Sequence, residues 1–297
     1  MLLEADLLER LRRRVVGRAR ELEIVVAALA AGRHILLEGP PGTGKSTLLR
    51  AVADELGLGF AFVEGNAELT PARLVGHFDP ARVLAEGYTA DIFVDGPLIE
   101  ALREGALLYV EEINRIPEET LNVLITVMSE GELHVPRLGH VKASPGFRLV
   151  AAMNPFDAVG TARISAAVYD RTCRLLMDYQ GAAEEAAVVV SAAGAGAADD
   201  AFVAKVVELV RLTRSHPDLR IGSSVRGAID MVLVAGSLGG LRDRPVGDRS
   251  VSLDAALAAL SGRVRIRDGS GRASEEVIRE LFDQVFAPTA GGGGGKG

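Results

Sequence analysis

The sequence holds a single cysteine, Cys173, and no tryptophan. One thiol excludes an intramolecular disulfide and a zinc site built from cysteines. Lysine is nearly missing as well: of 33 basic residues only Lys45, Lys142, Lys205 and Lys296 are lysines, the rest being arginine. Positive charge is not in excess either, because 40 acidic residues leave a formal net charge of −7. That balance argues against a broad nucleic-acid-binding surface. Long apolar runs are absent. The longest uncharged stretch of small residues, Ala186 to Ala198, falls short of the about 20 residues a bilayer span needs. The start, MLLEADLLERLRRR, mixes acidic and basic residues without an apolar stretch, so no signal peptide is expected and the chain reads as cytoplasmic. Five histidines, His34, His77, His134, His140 and His216, show no metal-ligand spacing.

What is present is the composition of a folded chain, with 48% hydrophobic and 25% charged residues across a length of 297. At about 150 residues per domain this suggests one large domain or two smaller ones. Short apolar runs alternate with helical spacing: Ile35 to Leu37, Phe60 to Val63, Ala106 to Val110, Phe147 to Met153 and Cys173 to Met177 read as strands. Ser46 to Leu56, Leu98 to Arg103 and Pro117 to Ser129 read as helices. Such alternation predicts a parallel α/β sheet covered on both faces. From about Ala183 the spacing turns helical and no strand pattern recurs, which predicts a smaller all-helical domain. The expected organisation is therefore a core over 1–182, a helical domain over 183–287 and a flexible glycine-rich tail over 288–297. The basic cluster Arg10, Arg12, Arg13 and Arg14 has two readings. It is either a nucleic-acid contact or the polar face of an amphipathic helix whose other face carries Leu3, Leu7, Leu8 and Leu11.

Gly39-Pro40-Pro41-Gly42-Thr43-Gly44-Lys45-Ser46, followed by Thr47, fits G-x-x-x-x-G-K-[ST] between a predicted strand and a predicted helix. That context is the phosphate-binding loop. Glycines let backbone N–H groups converge on phosphate oxygens, and the helix N-terminus adds free donors and a favourable dipole. Lys45 is placed to reach the terminal phosphates and the Ser46 hydroxyl to ligate Mg²⁺. Downstream, Leu107-Leu108-Tyr109-Val110 ends in the paired carboxylates Glu111 and Glu112. At a strand end beside a phosphate loop these suit a metal-holding acid and a water-polarising acid respectively.

The phosphate loop, the run LLYVEEINRIP, the strand ending in Asn154 and the segment Tyr169-Asp170-Arg171 together resemble an AAA+ ATPase. The run Glu112 to Pro117, Gly96 to Leu98, and Gly160-Thr161 ahead of Asp170-Arg171 resemble the MoxR group more narrowly. The resemblance implies a five-stranded parallel sheet in the order 5-1-4-3-2 with a helical lid, and ATP with Mg²⁺ as cofactors. It implies an adenine-contacting segment at Val16-Gly17-Arg18 and a sensor at Asn154. It further implies a finger at Arg171 that reaches a neighbouring protomer's nucleotide, with Arg174 a nearby competitor and Arg163 unassigned. A second sensor falls at Arg226 on the lid. Lys45, Glu112, Asn154 and Arg171 form the implied catalytic set, and Ser46 and Glu111 the implied metal set. The family's usual Asp is Glu111 here, a departure that points to modest hydrolysis.

Two further stretches, Leu74 to Gly96 and the hairpin Glu132 to Lys142, resemble inserts that face a ring pore and grip clients. The implied activity is ATP hydrolysis coupled to remodelling or maturation of a partner protein, in a homo-oligomeric ring such as a hexamer. The implied partners are a von Willebrand factor A domain protein and a client, with no nucleic acid and no membrane span. Three competitors share the core: a nucleic-acid motor or loader, a chelatase-like subunit, and a non-hydrolysing nucleotide-dependent scaffold. The lengths of the core and the helical domain leave no space for a separate client-binding domain, so specificity is expected from the inserts.

Overall fold

The computed structural model describes residues 6–155, 165–194 and 196–287. The Gly160-Thr161 pair, Arg163 and the glycine-rich tail lie outside these residues, as does Leu3. The chain divides into two compact units, 1–178 and 179–297.

The first unit is built on a five-stranded sheet of β1 (His34–Glu38), β2 (Phe60–Glu64), β3 (Leu107–Glu111), β4 (Arg148–Met153) and β5 (Thr172–Leu176). All pairings are parallel and the order across the sheet is β5-β1-β4-β3-β2. The three central strands are apolar nearly throughout because both their faces are covered. The edge strands β2 and β5 keep exposed positions. Alternate residues point to opposite faces and so feed two separate cores. Leu36, Leu108, Val110, Leu149 and Ala151 pack with helices Pro97–Glu104 and Glu118–Glu130. Ile35, Leu37, Leu107, Tyr109, Val150 and Ala152 pack with helices Ala19–Ala30 and Lys45–Glu55. The carboxyl ends of β1, β3 and β4 therefore lie side by side at one rim, the usual place for a ligand site in an open α/β sheet.

The first helix, Leu7–Arg14, buries Leu7 and Leu11. Its arginines all face carboxylates of this chain: Arg10 and Arg14 reach Glu55, Arg14 also reaches Asp54, Arg13 reaches Glu9 and Arg12 reaches Glu23. The amphipathic reading of this segment thus describes what the structure shows.

His34 opens β1 and accepts a hydrogen bond at Nδ1 from the Leu149 N–H, 2.9 Å away. Burial, reinforced by the nearby charges of Arg148 and Arg33, pushes its pKa down to about 4. The native state thus holds this imidazole neutral while the unfolded chain protonates it near its ordinary value of about 6.5. Its contribution is complete above that value and is lost as pH falls towards 4. Thermal melts of the wild type and His34→Gln at pH 7.5, 6 and 5 check this. The wild type should lose melting temperature faster on acidification than the variant; parallel curves would contradict the assignment.

Two excursions leave the sheet. Between β2 and β3, Gly76–Phe78 pairs antiparallel with Phe93–Asp95, with helix Pro80–Glu86 between them. Before β4, Glu132–Val135 pairs with Gly139–Lys142. Arg137 at the tip of this hairpin has φ of 69° and stacks 3.5 Å from the ring centroid of Tyr88 in the first excursion. The His134 and His140 rings meet across the hairpin at 4.8 Å. Among the described residues no cluster of three or more metal-type side chains is found.

The second unit packs helices Ala182–Ala193, Asp200–Ser215, Val225–Arg242, Arg249–Leu260 and Ser274–Phe286 around one apolar core. It is not all-helical, which corrects the sequence expectation. Leu219–Ile221 pairs antiparallel with Arg265–Ile266. Strands of two and three residues are too short to show a period of two, so they leave no signal in the sequence. Among the described residues no helix is long and apolar enough to cross a membrane.

Candidate active site

The phosphate loop leaves β1 at Glu38 and enters helix Lys45–Glu55. Two of its glycines are required by geometry. A Cβ at Gly39 would sit 1.9 Å from the Met177 carbonyl oxygen, so only glycine passes there. Gly44 caps the helix with φ of 84°, the left-handed region that glycine enters without strain. The Gly39 N–H donates to the Met153 carbonyl at 3.1 Å, which ties the start of the loop to the end of β4. Lys45 is buried, and its Nζ donates to the Gly39 and Pro40 carbonyls, each at 2.9 Å. This holds an ammonium within the loop, at the place where phosphates would bind.

Arg18 fastens the segment Val16-Gly17-Arg18 to this loop. Buried among main-chain oxygens, it donates to the Thr43 carbonyl at 2.9 Å and the Asp178 carbonyl at 2.7 Å, and pairs with Glu21 at 2.8 Å. Val16 and Gly17, both half-buried, directly precede this anchored arginine in the chain.

On β3, the Tyr109 hydroxyl lies 3.3 Å from the Ser46 hydroxyl. Residues two apart on a strand share a face, so Glu111 projects from the side of the sheet that carries Ser46. The pair offers a hydroxyl and a carboxylate, the hard oxygen donors that a small divalent cation takes. This donor chemistry fits Mg²⁺. The loop, with glycine-lined backbone and a buried lysine, fits a polyphosphate.

Glu112, next in the chain, has φ of 53° and ψ of 42°. A left-handed glutamate is uncommon and costs about 1–3 kcal/mol, the kind of strain that surrounding structure must hold in place. That support is visible. The Gly65 N–H donates to the Glu111 carbonyl at 2.7 Å, and a Cβ at Gly65 would collide with the Glu112 carbonyl at 2.4 Å. Arg115 pairs with the Glu112 carboxylate at 3.1 Å. Asn154 follows β4 directly and is half-buried, one residue beyond the Met153 carbonyl that holds the loop.

The rim of the sheet thus carries the loop from Gly39 to Thr47, Glu111, Glu112 and Asn154, and Val16 and Gly17 adjoin the arginine that holds the loop. Arg171 stands apart from them. It ends helix Ala166–Arg171 and is held by the Ser129 hydroxyl, the Ala167 carbonyl at 3.0 Å and Asp170 at 3.5 Å, none of them in the phosphate loop. Arg174 donates at 2.8 Å to Glu38 within its own protomer. Arg226 belongs to the second unit, exposed at the second position of helix Val225–Arg242.

Sequence reading overlooked four residues of this neighbourhood. Tyr109 is the one hydroxyl inside an aliphatic strand, and Glu38 the one charge at the end of β1; both are buried. Gly65 directly follows β2, and Arg115 lies inside the run Glu112 to Pro117.

The model of the AAA domain, dynein-related subfamily, matches residues 34–172. The chain is 31% identical to the gas vesicle ATPase GvpN of Ancylobacter aquaticus over 271 residues, 85% of this chain and 72% of that one. It is 29% identical to the gas vesicle ATPase GvpN of Haloferax mediterranei over 279 residues, 89% and 75% of the two chains. Among solved structures, the Thermotoga maritima RuvB Holliday junction branch migration motor matches with a TM-score of 0.56 and 18% identity, covering 84% of this chain and 73% of that chain. That likeness shows the fold. The phosphate loop, the acidic strand end and likeness to two ATPases over most of this chain lead to one conclusion: the chain is an AAA+ ATPase, whose residues 34–172 match the dynein-related AAA domain.

Proposed function

We propose that this ATPase hydrolyses ATP with Mg²⁺ in a ring of identical subunits, such as a hexamer, and spends the energy on remodelling a partner protein, in the manner of the MoxR group. The observation that carries the reading is the meeting of Ser46 with Tyr109 on the strand that ends in Glu111 and Glu112. It supports reading Ser46 as a metal-binding hydroxyl, Glu111 as a metal-binding acid and Glu112 as a water-polarising acid beside one phosphate loop. Mg²⁺, when bound, neutralises charge on the terminal phosphates; Ser46 and Glu111 are the residues that would hold it. Lys45 stabilises the same charge, Asn154 helps orient the attacking water, and Glu112 takes its proton. Val16, Gly17 and Thr47 contact the rest of the nucleotide, and Arg226 acts from the lid.

Arg171 is directed to a neighbour's site in this reading, since its own partners lie away from its own loop. A protein client is favoured over nucleic acid because the arginines of the first helix are paired within the chain. Gas vesicle proteins are the first clients to try, given the names of the two relatives, and a von Willebrand factor A domain protein is the first adaptor.

Lys45→Ala tests the site. Fluorescent ATP-analogue titration should show affinity reduced at least tenfold, and phosphate release should fall to background. Turnover that survives this change would place hydrolysis elsewhere.

A further inference from the structure

Glu38 is the last residue of β1 and immediately precedes the phosphate loop; it is 1% exposed. A carboxylate this deep must be paired to remain charged. Its two partners both come from the segment that carries Arg171. The Tyr169 hydroxyl donates to Oε1 at 2.9 Å, and Arg174 Nε donates to Oε2 at 2.8 Å. Tyr169 lies on the helix that ends in Arg171, and Arg174 lies on β5 just after it. Burial, and then the Glu38 carboxylate itself, hold the Tyr169 phenol above its ordinary pKa, so it stays a donor.

The backbone beside Glu38 is fastened to the nucleotide machinery. The Glu38 carbonyl accepts from the Met177 N–H at 2.7 Å, and the Gly39 carbonyl accepts from Lys45 Nζ at 2.9 Å. When Lys45 turns to a phosphate, the Gly39 and Pro40 carbonyls lose that donor and the loop beside Glu38 must readjust. A shift at Gly39 is passed by one peptide bond to Glu38, by the Tyr169 hydrogen bond to the helix of Arg171, and by the Arg174 hydrogen bond to the strand that follows it.

We propose that Glu38, acting through Tyr169 and Arg174, is a positioning residue that sets the Arg171 helix according to whether this protomer's own phosphate loop is occupied. Nucleotide in one subunit thereby tunes hydrolysis in the next. The proposal rests on the reading of Arg171 as a finger acting in trans. It also assigns Arg174 a role inside its own protomer, as the clamp on Glu38.

Tyr169→Phe removes one bond and keeps a ring that is 40% exposed, so the fold should survive. The expected result is nucleotide affinity and KM within about twofold of wild type and kcat lowered about tenfold, the size of one hydrogen bond to a charged group. ATP cooperativity should fall towards a Hill coefficient of one. Glu38→Gln should reproduce this pattern. The decisive arm mixes Tyr169→Phe with Glu112→Gln protomers, reassembled together. The second variant cannot hydrolyse but presents an intact finger segment, so turnover per Tyr169→Phe protomer should rise towards wild type. A defect that persists in the mixture, or that appears in KM and affinity instead, overturns the coupling. A control mixture of Arg171→Ala with Glu112→Gln separates the two layers. If it recovers and the Tyr169→Phe mixture does not, only the coupling fails. If neither recovers, the finger reading fails and the coupling falls with it.

Discussion

Glu112→Gln should lower ATP turnover by about 10²–10³-fold while leaving nucleotide bound. That is the lower part of the usual contribution of a positioned general base. Gln has the same length and hydrogen-bonding reach but cannot take a proton from water. The backbone at Glu112 is already left-handed, with φ of 53°, and Gln tolerates that region no worse than Glu. The Gly65 wedge against the Glu111 and Glu112 carbonyls acts on main chain alone and is unchanged by the substitution. The ion pair with Arg115 is lost, but for a pair this exposed the cost to stability is about 0–1 kcal/mol. Single-turnover phosphate release and retention of labelled ATP on the isolated variant check this together. Turnover within threefold of wild type would remove Glu112 from the chemistry.

Arg171→Ala should be at least as damaging, on the order of 10³-fold in kcat, the lower end for an arginine that stabilises charge on the transferred phosphoryl. That corresponds to about 4 kcal/mol of transition-state stabilisation. Its local bonds, to the Ser129 hydroxyl and the Ala167 carbonyl, are partly solvent-exposed, and losing them costs far less. A large kinetic defect with a melting temperature within a few degrees of wild type therefore points to the finger role. A variant that is simply unstable, with kcat per folded molecule unchanged, points to a helix-end residue that only fixes Ala166–Arg171 to Ser129. Arg174→Ala is expected to differ: it exposes the buried Glu38 carboxylate to an incomplete pairing, so it should lower stability as well as turnover.

Much of this architecture is legible from residue order because strong local signals coincide with it. The strands are apolar runs closed by glycine or acid, and the phosphate loop has a spacing that few other structures need. The helices Lys45–Glu55 and Glu118–Glu130 lie within a residue or two of where apolar spacing puts them. The parts that escaped depend on contacts distant in sequence. Tyr109 reads as one more core residue until Ser46 is beside it. Glu38 reads as the polar end of a strand until Tyr169 and Arg174 close over it. The left-handed backbone of Glu112 depends on Gly65, a loop glycine with no pattern of its own. The short ribbon of the second unit has too few residues to carry periodicity. Local chemistry was thus readable, while the residues that position it were not, since positioning is a property of packing.

The most direct test of a site completed by a neighbouring subunit is ATP turnover per protomer, with Mg²⁺, measured across protein concentration and matched to mass by light scattering. The expected curve is low for dilute monomer, rises steeply as rings assemble, and falls to background for Lys45→Ala at every concentration. A turnover per protomer that is constant from monomer to assembly would contradict the account, because each subunit would then hydrolyse ATP with its own residues alone.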